Sequence, residues 1–350
     1  MVRMTTWSDG LPPAAHARAA RQRESGVAGS LLSAPGAAAI ASVALQPVGE
    51  VFGSLVVQLG WTGGGCGIWA MASPLGYNYG FGGATGPGGS GFGSGILGGW
   101  TTPVLTTGGS GGRNAGFGSY VQAFAQAWHG AHDRMLAEAG LLAADGVVGV
   151  QVRRRRLEGQ IWEFTATGTA VRTLDTSISP RAGAPGPRTG ASGHRAGGPW
   201  TAGFSAEHTT ALLQSGYVPR GMALGLSVST KHEDALLKQQ RSTWSGNTEV
   251  DGLTHLLEAA RDDARQQLTN RAGRLGASDL VVTDSSVGEF ETSCGDESDL
   301  HAEALFIGTA IAPGPMHAFR GRSAQSTARR GVTSVIPLTD PGVRSAARHR

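Results

Sequence analysis

The densest group of potential metal ligands in the sequence is Cys294, Asp296, Glu297, Asp299, His301 and Glu303, with Glu289 and Glu291 shortly before it. A thiolate, an imidazole and carboxylates within one short span suit a divalent transition metal, because soft and borderline donors together favour such ions. If the flanking strands form a hairpin, His301 and Glu303 share a face, and Glu289 and Glu291 approach them from across the pair. The candidate ligands are therefore Cys294, Asp296, Asp299, His301 and Glu303. Their spacing follows no zinc pattern, and a solvated acidic hairpin loop accounts for the same residues.

Other chemistry-bearing residues point to less. His129 and His132, three apart on a helix, share a face as a bidentate pair would, but they flank an apolar stripe and read as boundary residues. Gly86, Gly88 and Gly91 satisfy GxGxxG by arithmetic, with no Val-rich strand before them and no acidic partner after, so a dinucleotide site is not expected. No GxxxxGK[ST] or GxSxG occurs, which removes the P-loop and nucleophile-elbow readings. Arg153 to Arg156 form a basic run, and seven arginines dot the stretch from Arg320 to Arg350. With Glu158 and Glu163 close by and no reading motif, a solvated turn and a basic tail are expected rather than a specific nucleic-acid site.

The elements that position these residues come twice. Residues 32–56 match residues 204–228 at a constant offset of 172, through Ser33/Ser205, Pro47/Pro219, Gly49/Gly221, Gly53/Gly225 and Val56/Val228. LLAADGVVGV at 141–150 resembles RLGASDLVVT at 274–283, and FTATGTAV at 164–171 resembles LFIGTAIA at 305–312. Each block is preceded or followed by the same kind of element, so each unit reads as short helix, strand, long helix, strand, strand. The long helices carry apolar residues three and four apart, from Val121 to Leu142 and from Leu253 to Leu275. The predicted fold is α+β: two β-α-β-β units, each a small antiparallel sheet covered by one long helix. The paired glycines within strands are expected to mark bends or close backbone approach.

The boundaries follow from composition: an N-terminal extension 1–28, a first domain 29–174, a flexible linker 175–202, a second domain 203–312 and a basic disordered tail 313–350. Within the first domain, residues 60–119 form an insertion in which 23 of 60 residues are glycine. It is too poor in apolar bulk to order as a whole, although its aromatics could dock parts of it on a sheet or another chain.

PVGEVFGS at 47–54, LAADGVVGVQV at 142–152 and TGTAV at 167–171 resemble the first strand, helix-to-strand junction and final strand of the YbjQ-like heavy-metal-binding family. PRGMALGLSV, LGASDLVV and IGTAI resemble the same three places more loosely. The resemblance implies tandem diverged copies of a β-α-β-β unit that assembles through its sheet into a ring, pentameric in single-domain relatives. It also implies, by name, metal binding, but the matching motifs contain no ligand to carry over. The second copy has Asp279 for Gly146 and Val282 for Gly149, so its junction is expected to differ in shape.

The whole chain has 350 residues, 29 basic and 26 acidic, with cysteines only at 66 and 294. That excludes a disulfide framework and fits a reducing, cytoplasmic setting. No apolar run approaches the roughly 20 residues of a transmembrane helix. Residues 27–45 could pass for a signal peptide, but they have a counterpart deep in the chain. The expectation is a non-enzymatic homo-oligomeric binding protein, its cofactor unknown beyond a candidate divalent metal, with no specific nucleic acid and no membrane span. Two rivals stand: an enzyme whose site forms between subunits, and an accessory to nucleic acids or anionic surfaces.

Overall fold

The computed structural model describes residues 10–60, 102, 104–108, 117–174, 198–242, 246–294 and 297–314. Cys66, the GxGxxG triplet, Asp296, most of the insertion, residues 175–197 and the basic tail from 315 lie outside the described residues. Six helices and eight strands are described: α1 (Pro13–Ser25), α2 (Ala34–Ser42), β1 (Leu45–Gln58), β2 (Leu105–Thr106), α3 (Gly118–Leu141), β3 (Gly146–Glu158), β4 (Ile161–Thr173), β5 (Trp200–Thr201), α4 (Ala206–Gln214), β6 (Tyr217–His232), α5 (Ala235–Gln240), α6 (Asp251–Arg274), β7 (Asp279–Cys294) and β8 (Glu297–Pro313). The architecture is α+β, as the periodicity predicts.

The order short helix, strand, long helix, strand, strand appears twice, as α2-β1-α3-β3-β4 and as α4-β6-α6-β7-β8. The strand orders agree too: β1-β4-β3-β5 in sheet 1 and β2-β6-β8-β7 in sheet 2. Both first strands change register at the same place, between Pro47 and Gly49 and between Pro219 and Gly221. Both short helices are capped alike, Ser33 Oγ accepting from the Gly36 N–H and Ser205 Oγ from the His208 N–H, which satisfies donors that a helix start leaves bare.

Each long helix lies against its sheet at a glycine. A Cβ at Gly53 would stand 2.0 Å from the Ala131 carbonyl oxygen, and one at Gly225 would stand 2.0 Å from that of Ala264. The close approach expected of these glycines is therefore met in both halves. One apolar cluster joins Phe124, Trp128 and Met135 of α3 to Val51 and Leu55 of sheet 1 and to Leu224 and Leu226 of sheet 2. Burying one such side chain stabilises by about 1.5–3 kcal/mol, so α3 helps to hold the halves together, beside a second cluster that joins Ile40, Val148 and Val171 to Trp200 and Leu213. Helix α6 buries only a stripe, Leu256, Ala260, Ala264, Leu268 and Ala272.

Two short strands depart from the expected boundaries, and both cover sheet edges. Trp200 and Thr201, at the end of the stretch read as linker, pair parallel with Gly146 and Val147 of β3. Leu105 and Thr106, from the glycine-rich insertion, pair antiparallel with Thr230 and Ser229 of β6. They escape sequence detection because two residues carry no periodicity.

Candidate functional site

The acidic span is a strand hairpin, and its described side chains do not converge. Strand register places Phe290 opposite His301, and sets Glu289 opposite Ala302 and Glu291 opposite Leu300. Cross-strand partners share a face, so Glu289 and Glu291 lie on the face opposite to His301 and Glu303, contrary to the expected approach. Asp299, His301 and Glu303 alternate along β8 and each has its own partner. Asp299 Oδ1 stands 2.7 Å from His232 Nδ1. His301 Nδ1 meets Thr230 Oγ1 at 2.9 Å and its Nε2 meets Thr292 Oγ1 at 2.8 Å, between the rings of Phe117 and Phe290. Burial pushes the imidazole pKa down to about 4, with the nearby Asp299 carboxylate opposing. It is a neutral, hydrogen-bonded core histidine.

Glu303 Oε2 accepts from the Tyr120 hydroxyl at 2.5 Å, and Oε1 accepts from Arg154 Nη2 at 2.7 Å. Desolvation, and then the Glu303 charge, raise the Tyr120 pKa well above its usual value. Arg154 also lies over the Phe124 and Trp162 rings. This cluster joins α3 and β3 of the first half to β8 of the second. Among the described residues no three His, Cys, Asp or Glu side chains gather as metal ligands. Cys294 ends β7, and Asp296 lies outside the described residues. The donor set that is described does not fit a metal centre.

The remaining candidates also resolve into structure. Arg153 to Arg156 lie within β3, not in a turn, and the turn is Gly159–Gln160. Alternation sends Arg154 inward to Glu303, while Arg155 pairs with Glu163 at 2.9 Å. His132 is not a boundary residue. It is fully buried, stacked on Trp128 with centroids 5.4 Å apart, and its Nε2 is 3.3 Å from Thr201 Oγ1. His129 meets Arg271 of α6.

What sequence reasoning missed is how the sheet edges are finished. On β1, the Glu50 carbonyl accepts from Gln22 Nε2, the Phe52 N–H donates to Glu138 Oε2, and the Ser54 carbonyl accepts from Arg134. Glu138 is itself fully buried and takes a two-pronged pair from Arg18 of α1, both contacts at 2.7 Å. So side chains meet β1, β2 covers Thr230 and Ser229 of β6, and residues 200–204 cover β3 from Gly146 to Val150. The outer side of β7 is the sheet edge with no strand upon it among the described residues. Every residue from Val281 to Glu289 is exposed, including Val282 at 48%. Alternation of Val, Asp, Ser and Glu gave no hint of this, because exposure on both faces is a property of placement.

Residues 109–174 match the model of a family described as "Putative heavy-metal-binding". The match holds α3, β3 and β4, and therefore the junction and final-strand motifs; the 47–54 motif lies outside it. The chain is 28% identical over 159 residues to an encapsulin nanocompartment protein of Mycobacterium tuberculosis. That stretch is 45% of this chain and 56% of the relative, so the chain spans little more than half of the relative's length. No solved structure matches the chain. No described helix is long and apolar enough to cross a membrane.

Proposed function

We propose that the chain is a non-enzymatic assembly protein, built from two diverged copies of one unit and joined to further copies of itself through the open edge of sheet 2. The observation that carries this reading is β7: sixteen residues of edge strand, exposed on both faces from Val281 to Glu289. Bare strand edges template further pairing, and proteins normally cover or blunt them. Among the described residues β2 covers part of β6, residues 200–204 cover the start of β3 and side chains contact β1, whereas no described segment pairs with the outer edge of β7. The duplicated element order, matched bulges and matched glycine contacts support the second half as a copy of the first. The name of the mycobacterial relative, which refers to a nanocompartment, favours assembly as well.

Metal binding enters this reading only through the family description. Light scattering on the eluting protein, with plasma mass spectrometry of the same peak, tests both parts. A mass several times 35.8 kDa is expected. A single-chain mass at every concentration would contradict assembly, and a peak without stoichiometric metal would retire the metal reading.

A further inference from the structure

The edge of β3 shows inside one chain how an edge of this kind is covered. Residues 200–204 run along it: the Trp200 N–H donates to the Asp145 carbonyl at 3.1 Å and the Ala202 N–H to that of Val147 at 3.0 Å. In return the Gly149 N–H donates to the Phe204 carbonyl and the Val150 N–H to that of Ala202, each at 2.9 Å. By the offset of 172, the first-half counterpart of residues 200–204 is 28–32, and the counterpart of β3 is β7.

We propose that residues 28–32 of a second copy add in parallel to the outer edge of β7, as residues 200–204 add to β3, and that this is the joint between chains. The proposal rests on the reading of the chain as self-assembling and names the segment that fills the open edge.

The segment is already held in the required place. The Leu31 N–H donates to Thr169 Oγ1 at 3.1 Å, and its counterpart Gly203 donates to Thr309 Oγ1 at 3.0 Å. Residues 200–204 therefore leave their own half identically, and they have found an edge; residues 27–30 are exposed, as is Leu31. Within the chain residues 27–31 are exposed and no described strand pairs with the outer edge of β7, so the occupant proposed is a second copy.

Bulk at the joint is exchanged consistently. Inside the chain the large residue is on the incoming segment, and Trp200 fills the space beside Gly146, where a Cβ would lie 2.1 Å from the indole. Between chains the pair becomes Asp279 on the edge and Ala28 on the segment. A side chain has appeared on one partner where the bulky one has gone from the other.

The adjoining helices agree. Ala206 and Leu213 of α4 are buried in a cluster with Ile40 of α2 and Val43 just after it. Their counterparts on α2, Ala34 and Ala41, are exposed. Docking the second copy's α2 against this copy's α4 would cover them. Such a contact is heterologous and repeats head to tail, closing a ring or extending a fibre according to its rotation.

Two variants test the joint in the full-length chain. Ser30→Pro removes the N–H that would donate to Leu280 and touches no hydrogen bond within the chain that involves its side chain. It should reduce the light-scattering mass to one chain while circular dichroism and the melting midpoint stay at wild-type values. In a background with both native cysteines replaced by serine, the double variant Ala28→Cys, Asp279→Cys should give dimer and higher bands on a non-reducing gel after mild oxidation, and neither single variant should. A wild-type protein of single-chain mass would overturn assembly and the joint together. Assembly that survives Ser30→Pro, with no cross-linked multimers, would overturn the joint alone and leave copies meeting through another surface.

Discussion

Individual residues in this molecule are best understood by what they are tied to. His301 shows why a ligand type is not a ligand: Thr230 and Thr292 hold both ring nitrogens, and burial keeps the ring neutral. In the unfolded chain the imidazole binds a proton near its ordinary 6.5, in the folded chain only near 4. The unfolded state thus binds more protons between those values, so stability is full above about pH 6.5 and falls as pH drops towards 4, by roughly 3 kcal/mol at most. Urea midpoints at pH 7.5 and 4.5 should differ less in His301→Gln than in the wild type; an unchanged difference would clear His301 of the effect. Glu138 makes the opposite case, a buried charge with its partner at the surface. Arg18→Ala would leave its carboxylate with the Phe52 N–H and little else, and should destabilise by about 2–3 kcal/mol in denaturant titrations, below the range for fully buried pairs because Arg18 is one third exposed.

The elements were largely legible in the sequence. The pairing of Gly53 with Gly225 at an offset of 172 points to bends or close backbone approach, and the structure has the close approach, of a helix backbone, at both. Gly225→Ala should therefore cost about 2–3 kcal/mol, since the new methyl meets the α6 backbone rather than a movable side chain. A melting midpoint within a degree or two of wild type would show that α6 shifts freely. The expected difference at the helix-to-strand junction is real: Gly149 has a φ of 65°, and its counterpart Val282 is not among the residues with positive φ. Less legible were α1, β2 and β5. Helix α1 has polar character all round and docks through two small alanines, the Arg18 ion pair and the Gln22 hydrogen bond, a signal too weak for periodicity. The setting of Asp299, His301 and Glu303 was illegible for a related reason, because spacing along β8 fixes a shared face but not what the neighbouring strands and α3 offer to it.

At the scale of the whole molecule, the proposed joint between chains would differ in chemistry from the internal joint between the halves. The internal one is apolar, with Phe124 and Trp128 of α3 in a common core with Leu224 and Leu226. At the positions on α6 that match Phe124 and Trp128 the sequence has Leu257 and Arg261. A joint between chains that repeats the internal geometry is more polar and gives way first, so the assembly should fall to single chains at a urea concentration where far-UV circular dichroism is still native. Coincident loss of mass and of secondary structure would argue that the two joints are equally strong.

Amide hydrogen exchange over a concentration series reads directly whether residues 28–32 of another copy cover β7. Peptides spanning 278–284 and 27–32 should become protected together as protein concentration rises, while peptides from α3 do not change. Rapid exchange of both segments at every concentration would contradict the account.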